Sequence, residues 1–269
     1  MPYMATMDRV AIYYEDKGEG KPVVLIHGWS GSRIQYAFST PVLSSKFRVI
    51  TYDHRGHGAS EKPEHGLTMK RLAMDLEELL AHLDLRDVVI VGWSMGAQVL
   101  FEYVKNFGCG RLDKTVIIDM TPKLINDENW NLGLYHGDFD HEDNLHALST
   151  MCHDWEDYAE MFIKKAAPKL TAEEFRLAFK ESRKNIPHIM YAFWIAMAAA
   201  DYREELNKIT VPSLILYGKE STLYTPETAE YIFNAIPESK KVEFENCGHM
   251  LVLEDPERFN KVIEEFVQK

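Results

Sequence analysis

Five residues carry the first chemical signal in this chain: Gly92-Trp93-Ser94-Met95-Gly96 joins the apolar run 88–91 to the helical stretch 97–104. A G-x-S-x-G sequence in that setting predicts a sharp strand-to-helix turn, because a Cβ at either glycine would strike the neighbouring strand or helix. The turn would present the Ser94 hydroxyl at a helix N-terminus, where unpaired backbone N–H groups favour developing negative charge. That is a setting for an activated nucleophile. Two further groups belong to the same chemistry. His249 follows Gly248 in a loop after the last apolar run and is placed to act as a base or to be a buried histidine, and Asp119 ends the run 115–118. Near the N-terminus, the run 23–26 ends in His27-Gly28-Trp29, where a glycine lets the backbone approach a ligand and the Trp29 amide point at a carbonyl oxygen.

The elements that must position these groups alternate along the chain. Strands are expected at 10–15, 23–26, 47–52, 88–91 and 115–119, and a helix over 68–83 carries Leu72, Leu76, Leu79, Leu80 and Leu83 at helical spacing. Unbroken apolar strands separated by helices specify an α/β fold with a mainly parallel sheet covered on both faces. Ligands bind at the C-terminal ends of such strands, the edge that receives Ser94, Asp119 and Trp29. The loop Asp53-His54-Arg55-Gly56-His57-Gly58 is read as scaffold, with Asp53 and Arg55 forming charge-assisted hydrogen bonds and both histidines structural.

Between residues 123 and 208 the composition changes. Strand-like runs give way to helical patterns over 155–166, 172–186 and 188–206, rich in aromatics and methionines. This stretch is expected to be a helical cap over the strand ends, dividing the chain into a core of 1–122 and 209–269 and a cap of 123–208. Trp93, Trp130, Tyr191 and Trp194 are the candidate walls of an apolar substrate pocket. The run 136–146 holds four aspartates or glutamates and three histidines, and reads as a solvated acidic loop rather than a metal site. The sheet then resumes at 213–218, followed by a helix over 226–235, a strand over 241–244 and a closing helix over 255–267.

Composition narrows the partners. A net charge of −12 over 269 residues disfavours nucleic acid and anionic membranes and suits a small neutral or cationic substrate. Three cysteines, Cys109, Cys152 and Cys247, make no disulfide framework, and a reducing cytoplasm fits them. The N-terminal segment has no signal-peptide pattern and no run has the length of a membrane span.

Together His27-Gly28-Trp29, Tyr52-Asp53-His54-Arg55-Gly56-His57-Gly58, Gly92-Trp93-Ser94-Met95-Gly96 and Gly248-His249 resemble, in order and over nearly the whole chain, the α/β-hydrolase superfamily. The His-Gly-Trp and Gly-Trp-Ser-Met-Gly versions look most like its esterase and cofactor-free perhydrolase branch. The resemblance implies an α/β-hydrolase sheet, Ser94 as nucleophile, His249 as base, the Trp29 and Met95 amides as oxyanion hole, and neither metal nor organic cofactor. The acid departs from the family pattern, in which an Asp lies three residues after the glycine ending the penultimate strand. Here that position is Ser221. Two replacements present themselves: Glu220, one position early, and Asp119, which matches the acid position of haloalkane dehalogenases and zearalenone lactonase-like hydrolases. Asp119 is favoured, because a strand end fixes a carboxylate better than a loop does. The activity this implies is hydrolysis of a carboxylic ester, thioester or lactone through an acyl-serine. C–C bond hydrolysis, perhydrolysis and a catalytically decayed ligand-binding module are the alternatives.

Overall fold

The Val- and Ile-rich runs become the centre of an eight-stranded sheet in the computed structural model, which describes residues 2–269. The strands are β1 (Tyr3–Ala5), β2 (Ala11–Lys17), β3 (Pro22–Ile26), β4 (Arg48–Tyr52), β5 (Val88–Trp93), β6 (Leu112–Ile118), β7 (Ser213–Gly218) and β8 (Ser239–Phe244). Their spatial order is β1-β2-β4-β3-β5-β6-β7-β8, and only the β1/β2 and β2/β4 pairs are antiparallel. β5 is therefore central, with β3 and β6 on either side of it.

Alternate residues of each inner strand feed two different cores. Val24, Ile26, Ile50, Ile90 and Ile117 pack with Leu72, Leu76 and Leu79 of one helix and Val99, Leu100 and Phe101 of another. Val23, Leu25, Val49, Val89, Val91 and Val116 pack on the opposite face with Phe259, Ile263 and Val267. Full burial of each such side chain contributes roughly 2 kcal/mol, so the strands cannot slip by one residue without exposing a whole row. The helices are α1 (Thr40–Leu43), α2 (Met69–His82), α3 (Met95–Phe107), α4 (His141–His153), α5 (Trp155–Ala166), α6 (Ala172–Ser182), α7 (Pro187–Ala198), α8 (Pro226–Ala235), α9 (Leu251–Glu254) and α10 (Pro256–Gln268). Thr68 caps α2 by accepting from Arg71 N–H, as a Thr at that position should.

All of α4 to α7 lies between β6 and β7, strands that are neighbours in the sheet. Three details there differ from the sequence reading. The acidic run does not stay a loop: Asp140 and Asp143 form a capping box and α4 starts at His141. The helix expected to reach residue 186 stops at Ser182, because Pro187 holds Ile186 extended at φ −86° and ψ 121°. The helix expected over 188–206 stops at Ala198, and the chain turns so that Asp201 pairs with Lys123 at the base of the segment. β1 was not anticipated, being three residues long. Among the described residues, no helix is long and apolar enough to cross a membrane.

Candidate active site

Ser94 sits at the tip of the turn between β5 and α3 with φ 54° and ψ −124°, a region that a side-chain-bearing residue occupies only at a cost of about 1–3 kcal/mol. The flanking glycines make the turn possible. A Cβ on Gly92 would lie 2.5 Å from the Gly96 carbonyl oxygen, and one on Gly96 would lie 2.3 Å from the Ile26 carbonyl oxygen of β3. Helix α3 is thereby drawn onto the end of β3, which carries the next piece of the site. A Cβ on Gly28 would lie 3.1 Å from Ser94 Cβ and 3.6 Å from Ser94 Oγ. The His27-Gly28-Trp29 turn thus passes directly beside the serine. The Ser94 amide donates to Ile118 O across the sheet at 3.0 Å, and the Met95 amide opens α3, where helix N–H groups have no partner within the helix.

His249, which lines the same cavity as Ser94, meets Asp119. His249 Nδ1 lies 2.7 Å from Asp119 Oδ2, and both side chains are buried. Asp119 follows β6 directly with φ 40°. Glu220 points elsewhere: its side chain is 47% exposed and its Oε2 pairs with Lys169 Nζ at 2.6 Å. Ser221 donates its hydroxyl to Asp119 Oδ2 at 2.7 Å. The Trp93 indole donates to the His249 carbonyl at 3.0 Å, anchoring the histidine loop to β5.

Gly28, Trp29, Ser94 and His249 open into one cavity of about 560 Å³. This volume lies within the roughly 300–1,000 Å³ of small-molecule sites. Its wall comes from both halves of the chain, with Phe162, Ala166, Leu177 and Trp194 from the helical segment and Met120, Tyr224 and Met250 from the sheet side.

This geometry matches a known family. The family model for the alpha/beta hydrolase fold matches residues 21–256. The chain belongs to the alpha/beta hydrolase family. It is 32% identical, over the whole of both chains, to a non-heme chloroperoxidase of Kitasatospora aureofaciens. Among solved structures it is similar to an esterase from Exiguobacterium antarcticum, with a TM-score of 0.93 at 26% identity over 99% of both chains. It is also similar to a bromoperoxidase from Bacillus anthracis, with a TM-score of 0.91 at 29% identity and the same coverage.

The expected pocket residues of this alpha/beta hydrolase divide. Trp93 and Trp194 line the cavity, whereas Trp130 and Tyr191 do not. Trp130 packs edge-on to Tyr231 of α8 at 4.9 Å, with Arg203 over its ring and its indole donating to Lys123 O, so it fastens the base of the helical segment. Tyr191 lies on α7 beside Cys152 of α4 and is only partly buried. Trp130 stands in the irregular segment before α4 and Tyr191 stands three residues before Trp194 on α7, and the sequence pattern alone does not say which of these rings meets the cavity.

The Asp53–Gly58 loop is scaffold, though its two charges do not pair with each other. Asp53 accepts from the Arg33 amide and guanidinium at 2.7 Å each, and Arg55 holds both Asp75 and Asp8. His27, His54 and His57 cluster beneath the Trp29 turn, with His27 and His54 ring centroids 4.3 Å apart. His27 Nδ1 donates to Gly28 O at 2.8 Å, leaving Nε2 to accept from the His54 amide at 3.0 Å. In the same way His57 Nδ1 donates to Arg55 O and Nε2 accepts from the Ser30 amide at 3.3 Å. Burial pushes His27 down to about 4 and His57 to about 3, and His54 well below its ordinary value. All three rings are neutral braces.

Sequence reasoning missed Ser221 as a partner of the acid, treating its position only as a lost aspartate. Its spacing from Gly218 was the signal available. It also missed Met120 and Tyr224, which lie next to Asp119 and His249 on the cavity wall and whose Tyr224 Oη donates to Met120 Sδ at 3.2 Å.

Proposed function

We propose that this chain is a serine-dependent hydrolase that cleaves a carboxylic ester, thioester or lactone through an acyl-serine intermediate. The observation that carries the reading is the bond between His249 Nδ1 and Asp119 Oδ2. With Nδ1–H committed to the carboxylate, the lone pair of His249 resides on Nε2, the nitrogen left to take a proton from Ser94.

Ser94 Oγ attacks the substrate carbonyl carbon while its proton passes to His249 Nε2. The oxyanion so formed accepts hydrogen bonds from the Trp29 and Met95 amides, each donor being worth on the order of 3 kcal/mol in the transition state. Collapse of the tetrahedral centre breaks the bond to the alkoxide or thiolate, which leaves with the proton from His249. Water then attacks the acyl-serine, giving one proton to His249 and returning it to Ser94 as the acid departs. Asp119 stabilises the imidazolium at both stages, and Ser221 steadies Asp119. The helical segment over 123–208 serves as a cap that shields these steps from bulk water. Relatives named as chloroperoxidase and bromoperoxidase favour a second reading of the same site, in which hydrogen peroxide replaces water as acyl acceptor and a peroxyacid leaves.

The test is turnover of p-nitrophenyl butanoate by wild type and Ser94→Ala, alongside labelling by a fluorophosphonate probe, with and without hydrogen peroxide. Ser94→Ala is expected to lose at least about a thousandfold in kcat and all labelling. A wild type no faster than Ser94→Ala on every ester, thioester and lactone, and unlabelled, would overturn the reading.

A further inference from the structure

The two ends of the cavity differ in a way that selects substrate charge, and the inference drawn from this rests on the hydrolase reading above. At the closed end the wall is Met120, Leu124, Leu134, Trp194, Met197 and Leu223, all of them buried. No charged side chain stands among them. A carboxylate or ammonium group seated there would lose its water and find no counter-charge, the most costly form of polar burial.

At the mouth the wall is apolar but open: Ile34 is 49%, Phe38 64% and Leu177 59% exposed. The charged residues lining the cavity, His249 apart, are Lys169, Glu174, Glu181 and Glu254. The one ammonium among these four is already engaged, since Lys169 Nζ holds Glu220 Oε2 and donates to Asn246 O at 2.6 Å each. Glu181 pairs with Lys184. The remaining two carboxylates meet only neutral donors. Glu174 accepts from the Thr171 amide at 2.8 Å, and Glu254 accepts from the Gly248 amide at 2.8 Å. The mouth therefore presents uncompensated negative charge and no free cation, on a protein whose net charge is −12. Such a mouth lowers the local concentration of anions and slows their arrival.

We infer that the substrate is an uncharged ester or lactone with an apolar chain, and that esters bearing a carboxylate, phosphate or other anionic group at either end are rejected. The closed chamber takes the chain and the apolar rim passes it inward. Anionic carriers of an acyl group lie outside this class, because the carrier must stay at the acidic mouth while the chain enters.

The experiment compares p-nitrophenyl octanoate with the mono-p-nitrophenyl ester of octanedioic acid, which has the same chain length and ends in a carboxylate, in wild type at low ionic strength and in 0.5 M NaCl. The expected kcat/KM for the carboxylated ester is at least about thirtyfold lower, with salt narrowing the gap only in part, because screening acts on the mouth and not on the buried chamber. Leu177→Lys, on the exposed rim, is expected to raise the ratio of carboxylated to neutral kcat/KM about threefold at low salt. Equal values for the two esters in wild type, or a ratio unmoved by Leu177→Lys, would overturn the inference and leave ester hydrolysis standing. Failure to turn over either ester, with Ser94 unlabelled by the fluorophosphonate, would instead remove the hydrolase reading on which it rests.

Discussion

Ser221 and His249 hold the same oxygen of one carboxylate: each lies 2.7 Å from Asp119 Oδ2. The hydroxyl of Ser221 also faces the Leu223 and Tyr224 amides at 3.4 Å, so it is fixed from the loop side while it fixes the acid. Asp119 itself follows its strand in a left-handed conformation at φ 40°, which leaves its side chain dependent on such partners for direction. Ser221→Ala is expected to lower kcat on a neutral p-nitrophenyl ester about three- to thirtyfold with a small change in melting temperature, because one donor is lost and the carboxylate gains freedom. Unchanged kcat would show that the strand end alone orients Asp119.

The choice between the two acids follows from the same geometry. Asp119→Asn keeps the shape of the side chain but removes the charge that the proposed mechanism sets against the imidazolium, and is expected to reduce kcat by about 10³–10⁴. Glu220→Gln breaks a half-exposed pair with Lys169 and should leave kcat within about twofold, since exposed pairs of this kind contribute little. Steady-state kinetics on the two folded variants decides the matter, and the opposite ranking would move the acid to the loop.

The sheet and the Ser94 turn were legible because they are dictated locally. Unbroken apolar runs need cover on two faces, and Gly92 and Gly96 have the contacts that the G-x-S-x-G reading demands, against α3 and against the end of β3. The place of Asp119 was legible as a strand end. What was not legible depends on long-range partners. Trp130 and Trp194 look alike in sequence, yet one meets Tyr231 and the other meets Trp29 at 5.1 Å across the cavity wall. Nothing local distinguishes a tryptophan that meets the cavity from one that meets α8. Helix α4 was obscured by its charge, because Asp140 and Asp143 act as caps and not as loop residues.

Acid should destabilise the protein through its histidine braces. His27 and His57 titrate at about 4 and about 3 in the folded chain, against an ordinary value near 6.5, because burial opposes their charged forms. The unfolded chain thus binds protons that the folded chain refuses. Stability is complete above about pH 6.5 and is lost as pH falls toward the folded values, by about 2 kcal/mol per histidine at pH 5. Protonating His57 Nε2 would also set an N–H against the Ser30 amide that now donates to it. Urea unfolding at pH 7.5 and pH 5.0 measures the loss. In His57→Gln, whose side-chain carbonyl can still accept from Ser30, the difference between the two pH values should shrink by about 2 kcal/mol. An equal difference in the variant would free His57 of any part in the acid sensitivity.

Trp194 couples the cavity wall to the Trp29 turn. Its ring lies 5.1 Å from Trp29, 6.0 Å from Tyr158 and 5.9 Å from Phe162, and its indole donates to Asn144 Oδ1 at 2.9 Å. Removing the ring enlarges the closed end of the chamber and takes away the surface against which Trp29 is braced. Trp194→Ala is expected to cost about 3–5 kcal/mol of stability, the usual range for a buried aromatic truncated to alanine. It should lower kcat on the butanoate ester, because a less rigid Trp29 presents its amide less well to the oxyanion. The added volume acts in the other direction for long chains, so the ratio of kcat/KM for dodecanoate to that for butanoate should rise about fivefold, roughly 1 kcal/mol of differential binding. Trp194→Phe keeps an aromatic brace while losing the bond to Asn144, and should retain most of the butanoate activity with a smaller change in the chain-length ratio. If the ratio stays constant across wild type, Phe and Ala, the chamber behind Trp194 does not receive the substrate chain, and the ring serves only to pack the helical segment onto the Trp29 turn.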